Sequence, residues 1–159
     1  MIDAHCHLEQ KEYEGDLDNF ISQWKKELKF IISSCAHKED LEKTMELHRK
    51  FKPFVQICIG LHPEYIKEIS EEDIKKVVEF IKNNKKDIVA IGEIGLDYHW
   101  IKEPEYREKQ KEMFRVFIRL AKELGLPLVI HSRDAREDTI KVLEEERMQD
   151  KKVLMHLSF

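Results

Sequence analysis

Short apolar segments rich in Ile and Val alternate along the chain with longer segments of helical periodicity. Apolar residues at every third or fourth position predict amphipathic helices, whereas short apolar runs between turn residues predict buried strands. Six strand-and-helix units can be counted in the 159 residues. The predicted strands are 1–7, 30–35, 55–61, 88–94, 127–131 and 152–157. This alternation predicts an α/β fold, with a parallel sheet covered by helices.

Two architectures share this alternation, an open doubly wound sheet and a closed (β/α) barrel. In both, active sites gather at the carboxyl ends of the strands. Reactive residues stand at or just after the end of five of the six predicted strands. The pattern therefore indicates where a site would lie but leaves the choice of architecture open.

Local signals support the predicted helix boundaries. Ser70 with Asp73 matches a capping box, Pro104 suits a first helical position, and Gly125 suits a helix end. The helix between Pro104 and Gly125 has an apolar stripe that we expect to face the core. Its residues are Met113, Phe117, Leu120 and Leu124.

The composition is that of one globular domain. With 42% hydrophobic and 38% charged residues, the chain belongs to neither the low-complexity nor the strongly disordered class. Its length allows one hydrophobic core, so we expect a single domain over residues 1–159. The net charge of -4 gives no global attraction for nucleic acid. A polyanionic substrate would have to be bound by metal ions or by a small basic patch.

The cysteines and the first residues of the chain indicate the cellular compartment of the protein. Cys6, Cys35 and Cys58 form no CxxC pair, and their odd number argues against a disulfide framework. The first residues do not resemble a signal peptide, and no apolar run is long enough to span a bilayer. We therefore expect a cytoplasmic protein that does not act at a membrane.

The first predicted strand ends in a His-Cys-His sequence. Because strand side chains alternate, His5 and His7 point to one side and Cys6 to the other. Two imidazoles on one side form half of a metal site, although such a pair taken alone is more often structural. Cys6 is expected to be a small buried residue rather than a ligand.

The fourth predicted strand ends in an acidic residue after an apolar run. Burial of the Glu93 carboxylate is costly unless a cation or a basic side chain compensates its charge. A carboxylate that bridges two cations would meet this need, as would an ion pair with Lys or Arg. Gly92 and Gly95 allow close backbone approach or a tight turn beside it.

The last two predicted strands each deliver a histidine. His131 follows the fifth strand and His156 lies in the sixth. Arg133 suits bidentate phosphate binding or a salt bridge. Asp134, with Glu137 three residues later, fits a capping box that would open the next helix.

Single histidines at strand ends are usually structural, but here the pattern recurs. Nitrogen and oxygen ligands for a dinuclear metal site stand at four strand ends. They are His5, His7, Glu93, His131 and His156. Such a recurrence is improbable by chance, so we predict that these residues bind two divalent ions.

The other histidines are less informative. His62 follows the third strand, where it would contact substrate or lie in a turn set by the next proline. His37 and His48 lie in polar, helix-like segments and are expected at the surface. His99 and Trp100 follow the fourth strand in a loop, where they would line or cover the pocket.

With these residues identified, the chain resembles the TatD family of metal-dependent deoxyribonucleases, a branch of the amidohydrolase-like TIM barrels. The resemblance extends over most of the chain in the order of the family's motifs, and the third and fourth motifs are specific to the family. The four motifs are residues 2–8 (IDAHCHL), 60–63 (GLHP), 92–98 (GEIGLDY) and the segment 110–135, which ends in IHSRDA.

The resemblance implies a two-metal hydrolase that cleaves phosphodiester bonds of DNA, in single strands or at ends. It implies that His5 and His7 bind one ion, that Glu93 bridges both ions as the central catalytic residue, and that His131 and His156 bind the other. It also places His62, Arg133 and Asp134 in the substrate pocket. The ligand types suit Zn, Mn, Fe, Co or Ni, and Mg is a further candidate.

The chain departs from the family pattern at three places. Glu9 stands where the family usually has Asp or Asn, and residues 157–159 (LSF) replace the usual sequence after the last histidine. The family barrel has eight strands and needs at least about 200 residues, whereas six strand units are predicted here. We therefore expect an incomplete barrel without the family's final Asp ligand. Its unpaired edge strands would favour self-association.

Two other interpretations remain open. The same metal site would serve ester or amide hydrolysis, for example of aminoacyl-tRNA or a small molecule. Alternatively, the chain would be a catalytically silent fragment that keeps some metal affinity.

Overall fold

A computed structural model describes residues 1–149 and 151–156 of the chain. In this part, six parallel strands form one sheet whose spatial order follows the chain order. The strands are β1 Asp3–Cys6, β2 Ile31–Cys35, β3 Val55–Ile59, β4 Ile88–Asp97, β5 Leu128–Arg133 and β6 Val153–His156. The sheet is curled, because His5 near the end of β1 and His156 at the end of β6 stack with ring centroids 3.9 Å apart. The fold is therefore a half-barrel of the (β/α) type, as predicted.

Helices connect successive strands along the outer side of the sheet. They are α1 Leu17–Trp24, α2 Leu41–Phe51, α3 Glu71–Asn83, α4 Pro104–Leu124 and α5 Arg136–Glu145. The Ser70 and Asp73 capping box at the start of α3 is present, Pro104 begins α4, and Gly125 ends α4 with a left-handed φ of 68°. No helix in the described part of the chain is long and apolar enough to cross a membrane.

The main hydrophobic core lies between the sheet and the helices. The predicted stripe of α4 is part of it, since Met113, Phe117 and Leu120 are buried and Leu124 packs against the cluster. A second, small cluster consists of Cys58, Ala90 and Val129 with Ile32 packed against it. Alternation along β5 puts Val129 and His131 on the same face of the sheet. The apolar inner surface of the half-barrel thus leads into the polar residues at its carboxyl end.

The predicted strand boundaries require correction: β1, β2 and β3 are each one to three residues shorter than predicted. β4 continues from Ile94 to Asp97, and β5 continues from His131 to Arg133, because residues 94–97 pair with residues 130–133. β6 is Val153–His156, and the predicted Leu157 lies outside the described residues. β1 and β6 are the edge strands of the described sheet, and Leu154 and Met155 of β6 are exposed. Self-association through these edges stays a prediction.

Candidate metal centre

Glu93 lies at the centre of four histidines, of which His5 and His131 belong to β1 and β5, while His7 and His62 lie in the segments that follow β1 and β3. Its side chain is buried, and the residue is only 1% exposed. Oε2 lies 3.2 Å from Nε2 of His5 and 3.7 Å from Nε2 of His7. Oε1 lies 3.1 Å from Nδ1 of His131 and 3.9 Å from Nε2 of His62. Each carboxylate oxygen therefore faces its own pair of imidazoles.

This arrangement creates two sets of donors with the composition of a metal site. Within the described residues, two groups of three side chains each have one ligand atom within 4.8 Å of the others. The groups are His5 with His7 and Glu93, and His62 with Glu93 and His131. Two nitrogens and one carboxylate oxygen are a ligand set that divalent transition metals accept.

The hydrogen bonds of His7 fix which of its nitrogens is free. Nδ1 donates to the carbonyl oxygen of Ser34 at 2.7 Å, and because a carbonyl only accepts, Nδ1 must hold a hydrogen. In the neutral ring the lone pair is then on Nε2, which lies 3.1 Å from Nε2 of His5. Two imidazole nitrogens at this distance need a proton or a cation between them. The residues present therefore fit a metal ion.

Further polar contacts orient the rings of the first group. Glu9 is buried and places Oε1 3.2 Å from Nδ1 of His7. This hydrogen bond is the main cause of a raised His7 pKa, although burial acts in the opposite direction. The hydroxyl of Ser34 lies 3.1 Å from Nδ1 of His5. Such outer contacts commonly fix the ring orientation of metal-binding histidines.

His131 lies between two carboxylates. Nε2 is 2.9 Å from Oδ2 of Asp97, while Nδ1 faces Glu93. Burial alone would lower the pKa of His131, but the hydrogen bonds to Asp97 and Glu93 raise it to about 9. Burial conversely favours a high pKa for Glu93, yet the hydrogen bonds from His131 and His5 hold it well below its usual range. The group thus stabilises an ionised Glu93.

Gln110 of α4 connects the end of β4 to the loop after β3. Its side-chain oxygen accepts from the backbone N–H of Asp97 at 3.1 Å, and its Nε2 donates to the carbonyl oxygens of Pro63 at 2.9 Å and Asp97 at 3.2 Å. Gln110 is fully buried. It therefore holds Asp97 and the loop with His62 in one arrangement.

The sequence predicts His62 as a substrate contact and His156 as a ligand of the second ion. His62 belongs to the second donor group, where burial and the neighbouring His131 lower its pKa to about 4. The His156 ring stacks on His5, and burial together with His5 lowers its pKa. In the described geometry His62, rather than His156, completes the group of Glu93 and His131.

Arg133 and Asp134 lie at the rim beyond His131. Asp134 does not cap α5 as predicted: the N-cap is Ala135, which makes no side-chain cap hydrogen bond. The physical reason is that β5 extends to Arg133 and Asp134 takes a left-handed turn with φ of 52°. Its Oδ2 contacts Nδ1 of His99 at 3.2 Å instead.

The expectation that His48 is a surface residue is wrong. His48 is 4% exposed, and its Nδ1 donates to the carbonyl oxygen of Val55 at 2.7 Å. His37 is partly exposed and caps a short 3-10 turn by accepting from the N–H of Glu39. Neither histidine belongs to the two donor groups.

The cysteines are free thiols outside the donor groups. Cys58 is fully buried, and burial raises its pKa to about 12. The Sγ of Cys6 donates to the carbonyl oxygen of Ile32 at 3.4 Å. Cys6 is thus only partly buried, and its thiol contacts the backbone of β2.

Comparison with known proteins identifies the family. The family model described as "TatD related DNase" matches residues 2–158. A metal-dependent hydrolase of Bacillus subtilis, YabD, is 38% identical over 98% of this chain, and human deoxyribonuclease TATDN3 is 33% identical over 98%. The chain spans 60% of the length of each of these two relatives.

Solved structures agree with this assignment. A hydrolase of the TatD family from Entamoeba histolytica superposes with a TM-score of 0.87 at 25% identity, covering 98% of this chain and 57% of that one. The strand order and the histidines at the strand ends are consistent with the family match. The chain belongs to the family of TatD-related DNases.

Proposed function

We propose that this chain contributes a two-metal site for the hydrolysis of phosphodiester bonds in DNA. The observation that supports it most strongly is the position of Glu93, whose two carboxylate oxygens face two separate pairs of imidazoles. A carboxylate placed in this way is suited to bridge two cations. Burial of a carboxylate requires compensating charge, which the surrounding imidazoles and two bound cations would supply together.

Each ion would have its own ligands and one shared ligand. His5, His7 and Glu93 would bind one ion, and Glu93 and His131 the other. His62 and His156 are the neighbouring donors for the second ion. When bound, divalent cations at such a site lower the pKa of a coordinated water and neutralise charge on phosphoryl oxygens. Zn, Mn and Mg are the metals to test first.

The chain's own residues would prepare this site and bind the substrate. Asp97 and Glu9 hold His131 and His7 in place through hydrogen bonds. Arg133 at the rim would bind a phosphate of the substrate, since a guanidinium matches phosphate geometry. Asp134 and His62 would line the same pocket.

The preference for DNA rests on the relatives and on the site chemistry. The human relative is named a deoxyribonuclease, whereas the Bacillus subtilis relative is named only a metal-dependent hydrolase. The same donors would also serve ester hydrolysis. A substrate panel therefore has to include both classes.

The experiment compares metal-dependent cleavage of a labelled single-stranded oligonucleotide by the unmutated chain, by a His5→Ala/His7→Ala variant and by a His37→Ala control. We expect cleavage that chelator abolishes, a loss of at least about tenfold in the double variant and normal cleavage in the control. Equal metal-dependent cleavage by the double variant would refute the assignment. Activity on an ester panel with none on DNA would replace the substrate class.

A further inference from the structure

An exposed tryptophan stands at the rim of the metal centre. Trp100 lies in the loop between β4 and α4 and is 55% exposed. It is the only aromatic residue among the exposed large hydrophobic residues of the described chain. Trp24, by contrast, stacks on Phe20 and contacts Tyr13 in a cluster at the hydrophobic core.

The loop holds Trp100 at a fixed position relative to the centre. Oδ1 of Asp97 accepts from the backbone N–H of Trp100 at 2.9 Å, while Oδ2 of the same carboxylate contacts His131. The next residue, Ile101, is buried in the core. The ring is therefore held at the surface by a loop that is anchored on both sides, and the His99 ring stands perpendicular to it with the two centroids 4.7 Å apart.

Arg133 places its guanidinium over this ring and is not engaged in an ion pair within the described residues. Its guanidinium carbon is 5.6 Å from the centroid of the Trp100 ring. Within the described residues, no carboxylate lies within 4.0 Å of the Arg133 guanidinium, and the neighbouring Asp134 is in contact with His99 instead. Arg133 follows His131 by two residues along β5, so both side chains point to the same side of the strand.

From this geometry we infer that Trp100 and Arg133 bind one unpaired nucleotide of a single-stranded nucleic acid, with its base stacked on the indole and its phosphate on the guanidinium. The inference rests on the proposed function, and it adds Trp100 as a base-binding residue beside Arg133, which that function already assigns to a phosphate. Stacking needs a base whose face is free, which single strands and frayed ends provide. Every base has such a face, so the subsite would tolerate different sequences.

Binding is measured by fluorescence anisotropy of a labelled oligothymidylate in chelator, so that no cleavage occurs. We expect Trp100→Ala to weaken binding by about 5- to 150-fold, the loss that corresponds to one stacked base. Trp100→Phe should restore most of the affinity. Ile140→Ala, at an exposed apolar residue of α5, should bind normally. Circular dichroism of all three variants checks the fold.

A second measurement tests stacking itself. In a Trp24→Phe background Trp100 is the sole tryptophan, and we expect the oligonucleotide to quench its fluorescence. The unmutated chain should bind an oligonucleotide of abasic sites more weakly than the normal oligonucleotide. The Trp100→Ala variant should bind the two oligonucleotides equally well. The inference is overturned if removal of the bases weakens binding equally in both proteins. It is also overturned if Trp100→Ala binds the oligonucleotide within about twofold of the unmutated chain, or if the unmutated chain does not bind it at all.

The proposed function is tested separately with bis(p-nitrophenyl) phosphate, a diester without a base. If the unmutated chain with added metal cleaves this diester but oligonucleotide binding ignores Trp100, the subsite is wrong and the hydrolase site stands. If binding depends on Trp100 but no diester is cleaved, the subsite is supported and the proposed hydrolysis fails.

Discussion

Asp97 Oδ2 lies 2.9 Å from Nε2 of His131, and this buried contact is the link between the end of β4 and the proposed second metal ion. The same carboxylate accepts from the Trp100 N–H. Asp97 therefore acts on both the proposed metal centre and the rim. It is not a proposed ligand, so its effect would be one of positioning.

Asp97→Asn keeps the size of the side chain and removes its charge. We expect metal affinity to fall by about 10- to 100-fold, as for other outer partners of ligating histidines. Calorimetric titration with Mn²⁺ or Zn²⁺ measures this. Asp138→Asn is the matched control, because Asp138 contacts Tyr98 and Lys111 rather than a histidine of the centre. Unchanged affinity in Asp97→Asn would show that the contact has no positioning role.

The role of Asp97 could not be predicted from the sequence, although the residue stands in a family motif. The strand predicted over 88–94 stops before Asp97, and its continuation through Leu96 does not by itself reveal what Asp97 contacts. The partner of Asp97 comes from β5, and only strand register reveals it. Glu9, Ser34 and Gln110 were missed for the same reason, since each acts through a contact that the sequence pattern does not show.

The half-barrel and the grouping of histidines could be predicted because they depend on periodicity. Strand alternation places His5 and His7 on one side, and parallel strands bring their carboxyl ends together. The burial of His48 was also visible in principle. It follows Met45 by three residues on the inner face of α2, whose other buried residues include Phe51. Its polar neighbours in the sequence hid this periodicity.

Gly95 packs directly against the strand that presents His131. Its φ is +142°, and a Cβ there would overlap the carbonyl oxygen of His131. We expect Gly95→Ala to cost about 1–3 kcal/mol in the free energy of unfolding and to weaken metal binding, because β5 must shift. Urea denaturation and metal titration test these two effects.

Gly125→Ala provides the comparison. Gly125 also has a positive φ, of 68°, but a Cβ added there would meet no neighbouring side chain or strand within 4 Å. This variant should lose about 1–2 kcal/mol for the left-handed conformation alone and should keep its metal affinity. If both glycine variants bind metal with the affinity of the unmutated chain, the close packing at Gly95 is not required for metal binding.

The start of α3 predicts a pH effect far from the metal centre. The backbone N–H and hydroxyl of Ser70 donate to Asp73, and Lys38 lies 2.9 Å from it. These contacts hold the pKa of Asp73 well below its ordinary 3.8. A lowered carboxyl pKa stabilises the folded chain above the unfolded value, and this stabilisation is lost as pH falls through the folded pKa.

The test compares unfolding of the unmutated chain and of Asp73→Asn at about pH 7, 5 and 3, which lie on either side of the unfolded pKa. The unmutated chain should be more stable at the two higher pH values, and the difference should shrink at the lowest. A difference that stays constant with pH would mean that the charge of Asp73 adds nothing to the capping box.

The most direct test of the account is the number of metal ions bound by the unmutated chain and by Glu93→Gln, a variant of equal size. Equilibrium dialysis against Zn²⁺ or Mn²⁺ followed by elemental analysis gives both values. Because Glu93 faces both pairs of imidazoles, we predict two ions on the unmutated chain and weakened binding of both in the variant. A Glu93→Gln variant that binds two ions with unchanged affinity would contradict the shared carboxylate.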